Sequence, residues 1–327
     1  MNDKTYIIAE IGINHEGDIS ICKKMIEAAA RCGVDAVKLQ TINADANYVK
    51  ETESYNIFKS AELTQEETRI AFDFARTLGL DIFTTAGDIE TIDWVDSLNP
   101  SHWKISSGLL THVPIIKYLS SLKRPLLIST GMASEADIDL AVKTARSTGN
   151  NNISLFQCTS IYPTPIEEVN LSAIGWLKNK YQIPVGLSDH SNGDNAVFLS
   201  IAVGATLIEK HFSLDVSRAG FDHKVSLDEK GLKKMVERIR LAEVLMGKKE
   251  KKISGRVQEN RDKYLRYVVA TQPIVKGAIF SSENIGIKRA TPGAYGLEPK
   301  FYEGIVGQIS TTDIDIDQLI QSADLKG

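Results

Sequence analysis

The chain has 327 residues, of which 43% are hydrophobic and 24% charged, and a formal net charge of -4. This balance excludes a mainly disordered chain, and the lack of a basic surplus argues against binding nucleic acid or anionic membrane. The three cysteines, Cys22, Cys32 and Cys158, have no CxxC spacing and are too few to staple a chain this long, so a reducing, cytoplasmic setting is expected.

The N-terminal MNDKTYIIAE runs directly into an apolar stretch, with no signal or transit peptide pattern, and no apolar run approaches the roughly 18 residues of a membrane span. Short β-branched runs then alternate with longer segments of helical spacing. The runs predict strands at Thr5–Ile13, Val34–Thr41, Asp81–Gly87, His102–Gly108, Pro125–Gly131, Ile153–Ile161, Pro184–His190 and Thr206–Phe212. Helices are predicted between them at Ile19–Arg31, Thr64–Leu78, Ile89–Leu98, Val113–Leu122, Glu135–Ser147, Leu171–Tyr181 and Asn195–Val203, and after the last strand at Leu227–Met246. Thr64 followed by Glu67 is a capping-box pattern, and Ser134 and Asp228 also precede periodic runs.

Eight strand–helix units in residues 1–246 predict parallel strands with right-handed crossovers, closed as a (β/α)8 TIM barrel. An open doubly wound sheet is the competing architecture. Its glycine-rich first turn is absent, since Gly12-Ile13-Asn14-His15-Glu16-Gly17 is not GxGxxG. The charged, apolar-poor segment 247–263 reads as a linker. Residues 264–327 read as a small, mostly β module with frequent turns at Lys276-Gly277 and Pro292-Gly293, too small to be more than marginally stable alone.

A barrel places its active site at the C-terminal ends of its strands. Polar residues crowd that end of every predicted strand, which points to a polar, anionic small molecule. His190 and His211 end strands seven and eight. They are candidate ligands for a divalent metal such as Mn²⁺, or else two core histidines bonded to backbone carbonyls. Lys38 and Lys104, with Ser107, Ser129 and Ser188, form a candidate clamp for phosphate or carboxylate, the alternative being that each lysine pairs with a neighbouring acid. Glu10, Asp189, Glu209 and Asp222 are candidates for acid/base work or for supporting a metal. Cys158 reads as a buried free thiol rather than a nucleophile.

The motifs IIAEIGINHEGD, AVKLQT, KISSG, LISTGM, CTSIYPTP, VGLSDHS and IEKHF, in that order, closely resemble the sialic acid (N-acetylneuraminate) synthase family, which includes legionaminic and pseudaminic acid synthases. The tail YVVATQPIVKGAIFSSENIGIKRATPG resembles the family's antifreeze-like (SAF) domain. The resemblance implies a transferase that condenses phosphoenolpyruvate with the open-chain aldehyde of an N-acetylated hexosamine such as N-acetylmannosamine. Phosphate would leave by C–O cleavage, with Mn²⁺ or Mg²⁺ as a Lewis acid. By motif, His190 and His211 match the metal ligands. Glu10 matches a catalytic acid/base candidate. Lys38, Lys104, Ser107, Ser129 and Ser188 match residues that hold phosphoenolpyruvate. Tyr162 and Asp222 match residues at the sugar and reacting centre. Arg289 matches an SAF-domain arginine that contacts the sugar bound in the partner's barrel, which implies a domain-swapped homodimer.

The sequence departs from the family pattern at Leu109, where many members carry an acid, at Ser160, an asparagine in some, and in the short segment Asn43–Glu62. These departures fall on the sugar side, so the acceptor is left open. Two other readings compete. One is a Schiff-base barrel aldolase using Lys104 or Lys210. The other is a non-catalytic sugar-binding or assembly protein.

Overall fold

The computed structural model describes residues 4–326. The chain divides into two compact units, one ending at Lys248 and the other beginning at Lys249.

The first unit alternates strands and helices: β1 (Tyr6–Gly12), α1 (Ile19–Cys32), β2 (Ala36–Gln40), α2 (Ala44–Asn47), α3 (Glu53–Ser60), α4 (Gln65–Thr77) and β3 (Asp81–Thr85). It continues with α5 (Ile89–Ser97), β4 (Trp103–Ile105), α6 (Val113–Ser121), β5 (Leu126–Ser129), α7 (Glu135–Ser147) and β6 (Ile153–Cys158). It ends with α8 (Ser172–Tyr181), β7 (Val185–Asp189), α9 (Asn195–Ala202), β8 (Leu207–His211) and α10 (Glu229–Met246). The eight strands are parallel and pair in chain order, and β8 returns to β1 to close the barrel. The expected caps form: Thr64 and Glu67 make a capping box on α4, Ser134 and Asp137 make one on α7, and the Asp228 side chain accepts from Gly231 N at the start of α10.

Two apolar cores result. The larger packs the outward faces of the strands against the helices and includes Ile7, Met25, Phe72, Trp103, Ile116, Leu155 and Ile239. The smaller lies inside the barrel and contains Ile8, Ala36, Phe83, Leu127, Phe156 and Leu207. Side chains two positions apart on a strand share a face. One step beyond the inner plug, the same six strands therefore turn Glu10, Lys38, Thr85, Ser129, Cys158 and Glu209 toward the barrel axis. On β7, Gly186 occupies the plug layer, where an added Cβ would meet Leu207 O at 2.4 Å and Phe156 at 2.8 Å; Ser188 and His190 follow at the same period. Apolar floor and polar ceiling are thus one pattern read along the strands.

The strands stop one to three residues short of their expected C-terminal ends. There the polar residues leave the ladder and turn to loops: Thr164 N donates to His190 O, and Phe212 N to Glu10 O. The segment after β2 holds α2 and α3, capped by the side chains of Asn43 and Thr52. β1 carries a bulge, since Glu10 aligns with Lys38 but Gly12 with Leu39, leaving Ile11 as the extra residue and Gly12 at φ 56°.

The second unit contains α11 (Gly255–Tyr264), the antiparallel pair β9 (Arg266–Ala270) and β10 (Ile285–Arg289), and α12 (Tyr302–Ile305). Isolated bridges such as Ile274 to Ile314 and Ile279 to Ile309 extend the β character. Its core contains Val268, Ala270, Ile274, Phe280, Ile285, Ile305, Ile314 and Ile320. α11 lies largely within the segment expected to be a linker. Ser254 caps it by accepting from Val257 N, and Arg, Gln, Glu and Lys are good helix formers. Without an apolar face, it has no periodicity for a sequence reading to detect.

Candidate active site

A cavity of about 400 Å³ opens at the C-terminal end of the barrel, a size typical of small-molecule sites. Ten of the eleven residues matched by the family resemblance line it: Glu10, Lys38, Lys104, Ser107, Ser129, Tyr162, Ser188, His190, His211 and Asp222. The eleventh, Arg289, belongs to the second unit, where it is exposed on β10 with its guanidinium 5.1 Å from the Tyr264 ring centre.

At the cavity floor is a buried charge network. Lys38 Nζ lies 2.7 Å from Glu10 Oε2 and 3.9 Å from Glu209 Oε2. Lys104 Nζ donates to both Glu209 oxygens, at 2.7 and 2.8 Å. Ser188 Oγ donates to Glu209 Oε1 at 2.9 Å, and Gln40 Nε2 to Glu10 Oε1 at 2.8 Å. Both lysines therefore pair with acids and face the cavity as well. Burial, reinforced by the Glu209 charge, raises the Glu10 carboxyl despite Lys38. Burial would also raise Glu209, but Lys104 and Lys38 together hold it below the usual carboxylate range. Burial lowers the Lys104 ammonium.

Above this network sits a group of hydroxyls. Ser107 Oγ accepts from Gly131 N at 3.0 Å. A Cβ on Gly131 would meet Ser160 Oγ at 2.4 Å, Cys158 Sγ at 2.8 Å and Ser107 Oγ at 2.9 Å, so only glycine leaves the group intact. Ser129 Oγ and Ser160 Oγ are buried without a hydrogen-bond partner. Unpaired hydroxyls lining a cavity suit an incoming ligand with acceptor oxygens. Burial raises the Cys158 thiol, which stays protonated.

The opposite wall carries the imidazoles. The rings of His190 and His211 are 5.3 Å apart, and the Tyr162 ring lies 4.2 Å from that of His190. Burial lowers both histidines to about 3, aided at His190 by the His211 charge and at His211 by Lys38, so both are neutral at pH 7. His211 Nδ1 is buried without a hydrogen-bond partner, and Asp222 Oδ2 lies 3.6 Å from it. Two neutral imidazoles beside a carboxylate fit a divalent cation whose remaining positions go to water or substrate oxygen. Among the described residues, no group of three or more His, Cys, Asp or Glu is arranged to hold a metal by itself.

Lys210, the alternative Schiff-base lysine, points away from the cavity. Its Nζ lies 2.7 Å from Asp189 Oδ2 and also donates to Ser191 O, bracing the backbone on either side of His190. Glu209, a candidate for acid/base work or for supporting a metal, lines the cavity and shares a strand face with His211, a period-two signal available in IEKHF. Ile57 and Phe58 of α3, inside the segment Asn43–Glu62 expected on the sugar side, and Phe221 also line the cavity, although none of the three was named individually. Among the described residues, no helix is long and apolar enough to cross a membrane.

Residues 25–251 match the NeuB family, and residues 266–326 match the SAF domain. The chain is 37% identical to an N,N'-diacetyllegionaminic acid synthase of Legionella pneumophila, over 92% of this chain and 89% of that protein. It is 34% identical to a pseudaminic acid synthase of Campylobacter jejuni, over 99% and 97%. A solved structure of an N-acetylneuraminic acid synthetase from Leptospira borgpetersenii, in complex with citrate, superposes with a TM-score of 0.76 at 30% identity, covering 79% of this chain and 90% of that one.

Proposed function

The chain belongs to the NeuB family and carries a SAF domain, and on that premise we propose that it condenses phosphoenolpyruvate with the open-chain aldehyde of an N-acetylated hexosamine. C3 of the enol attacks the aldehyde carbon, whose oxygen takes a proton to become a hydroxyl. Water adds at C2, and phosphate leaves with cleavage of the bond between C2 and the phosphate ester oxygen, while the new C2 hydroxyl gives up its proton to leave a 2-keto-3-deoxy nonulosonic acid. The observation that carries this reading is the pairing, in one cavity, of two buried lysines and unpartnered hydroxyls with two neutral imidazoles.

Lys38, Lys104, Ser107, Ser129 and Ser188 hold phosphoenolpyruvate, whose phosphate and carboxylate compete with Glu10 and Glu209 for the ammonium groups. Glu10, with its raised carboxyl, holds or releases a proton near the reacting carbon. Tyr162 and Asp222 orient the sugar beside the imidazoles. His190 and His211 would hold Mn²⁺ or Mg²⁺, which when bound supplies Lewis-acid polarisation of the aldehyde. Arg289 reaches the sugar from a partner subunit in a domain-swapped homodimer, so that a module with a small core gains a second packing surface. N-acetylmannosamine and the 2,4-diacetamido-6-deoxy hexoses are the candidate acceptors, and a cytoplasmic enzyme is expected.

A panel of these sugars, each with phosphoenolpyruvate and Mn²⁺, tests the proposal. Phosphate release that needs both sugar and metal supports it, and release with no sugar on the panel refutes it. One observation favours a second reading: burial lowers the Lys104 ammonium, as a Schiff-base lysine requires. The bidentate grip of Glu209 opposes it by favouring the charged form. Borohydride trapping in the presence of substrate separates the two, and no covalent adduct is expected.

A further inference from the structure

The turn after β1, residues 13–17, gives no charged group to the cavity, yet it engages two of the cavity's walls. Asn14 is buried and uses both ends of its amide on the segment after β8. Its Nδ2 donates to Phe212 O and to Ser226 Oγ, each at 3.0 Å. Its Oδ1 accepts from the backbone N–H of Asp222, also at 3.0 Å. Ser226 Oγ in turn donates to Asp222 O at 2.7 Å, closing a ring of bonds around the Asp222 backbone.

Two positions on, Glu16 accepts from Arg218 at 2.6 Å and lies 3.0 Å from His223 Nε2, on the same segment. Gly17 has φ 75°, and a Cβ there would lie 2.8 Å from Ser60 O, so the turn also abuts the end of α3, whose Ile57 and Phe58 line the cavity. The segment after β8 needs external support. Gly220 and Phe221 take φ 82° and 46°, a left-handed pair that includes a bulky residue. Asp222 is carried immediately beyond that pair.

We infer that Asn14 is a positioning residue: without touching substrate or metal, it fixes the Asp222 carboxylate opposite the His190 and His211 imidazoles. The inference rests on the proposed role of Asp222 at the sugar and metal. Asn14 does not line the cavity, and its amide is bonded at both ends, so any effect of its removal passes through the segment it holds.

The test uses the full chain with Asn14→Ala, Asp222→Ala and the double variant. Mn²⁺ binding is read by calorimetry without substrate, KM is read separately for sugar and phosphoenolpyruvate, and the melting temperature is recorded. Asn14→Ala should weaken Mn²⁺ binding or raise the sugar KM about tenfold while phosphoenolpyruvate changes less than about twofold, and it should add nothing in the Asp222→Ala background. Equal losses for both substrates, additive losses in the double variant, or no loss at all would overturn the role of Asn14. Wild-type Mn²⁺ affinity and sugar KM in Asp222→Ala would instead remove the role of Asp222, and this proposal with it. Should Asn14→Ala fail to fold, Ser226→Ala opens the same ring and should produce the same split on a smaller scale.

Discussion

Replacing Glu209 with glutamine tests the buried charge network most directly. The change keeps the side chain's shape and removes its charge. Lys104 Nζ lies 2.7 and 2.8 Å from the two carboxylate oxygens, and the lysine is 2% exposed. At an effective dielectric of 20, a charge pair at this separation attracts by about 6 kcal/mol. The amide oxygen of glutamine keeps one hydrogen bond to the ammonium, worth about 1.5–3 kcal/mol. The net loss is then about 3–5 kcal/mol, the range found when one partner of a buried pair is removed. In a unit of this size that lowers the melting temperature by roughly 6–20 °C. Scanning calorimetry of the two chains in the same buffer measures it. Added phosphate should recover more stability in the variant than in the wild type, because the anion supplies the charge that Lys104 has lost. A drop below about 2 °C would mean that Lys104 is not held by Glu209 as a charged group.

Other substitutions separate binding from folding. Ser129→Ala removes a buried hydroxyl with no internal partner, so it should weaken phosphoenolpyruvate binding at little cost in melting temperature, whereas Ser188→Ala also breaks the 2.9 Å bond to Glu209 and should lower both. Equal thermal losses in the two variants would contradict the idea that Ser129 waits for a ligand. His211→Ala should abolish metal-dependent turnover with circular dichroism unchanged; normal turnover would sink the metal assignment. Arg289→Ala should raise the KM for sugar much more than that for phosphoenolpyruvate, and matched changes would place the SAF domain in another role.

The barrel was legible because two periodicities coincide. Apolar runs locate the strands, and 3.6-residue spacing with Thr64–Glu67 or Ser134 at the start locates the helices. Strand ends were drawn too long because β-branched composition continues past the last ladder bond, as in Ile153–Ile161, where pairing stops at Cys158. α2, α3 and α11 escaped because they are short or have no strong apolar face, and their formation depends on caps at Asn43, Thr52 and Ser254. At the site, residue types and strand ends picked out the lysines, serines and histidines. The joining of Lys104 to Glu209 was not legible, because it depends on the side-chain reach across a closed barrel between residues far apart in sequence. The bond from Asn14 to the Asp222 backbone was hidden for the same reason.

The closure of β8 on β1 sets Glu10 beside His211, about 200 positions apart in the chain. During synthesis the first strand therefore leaves the ribosome long before the residue that completes its surroundings exists. Glu10 and Lys38 emerge early and carry charges that only the finished ring can shelter. A nascent chain that ends before β8 has an unsealed sheet edge, no second imidazole, and no Glu209 to neutralise Lys104. A chain truncated before β8 would therefore lack the strand that seals β1 and the acid that holds Lys104.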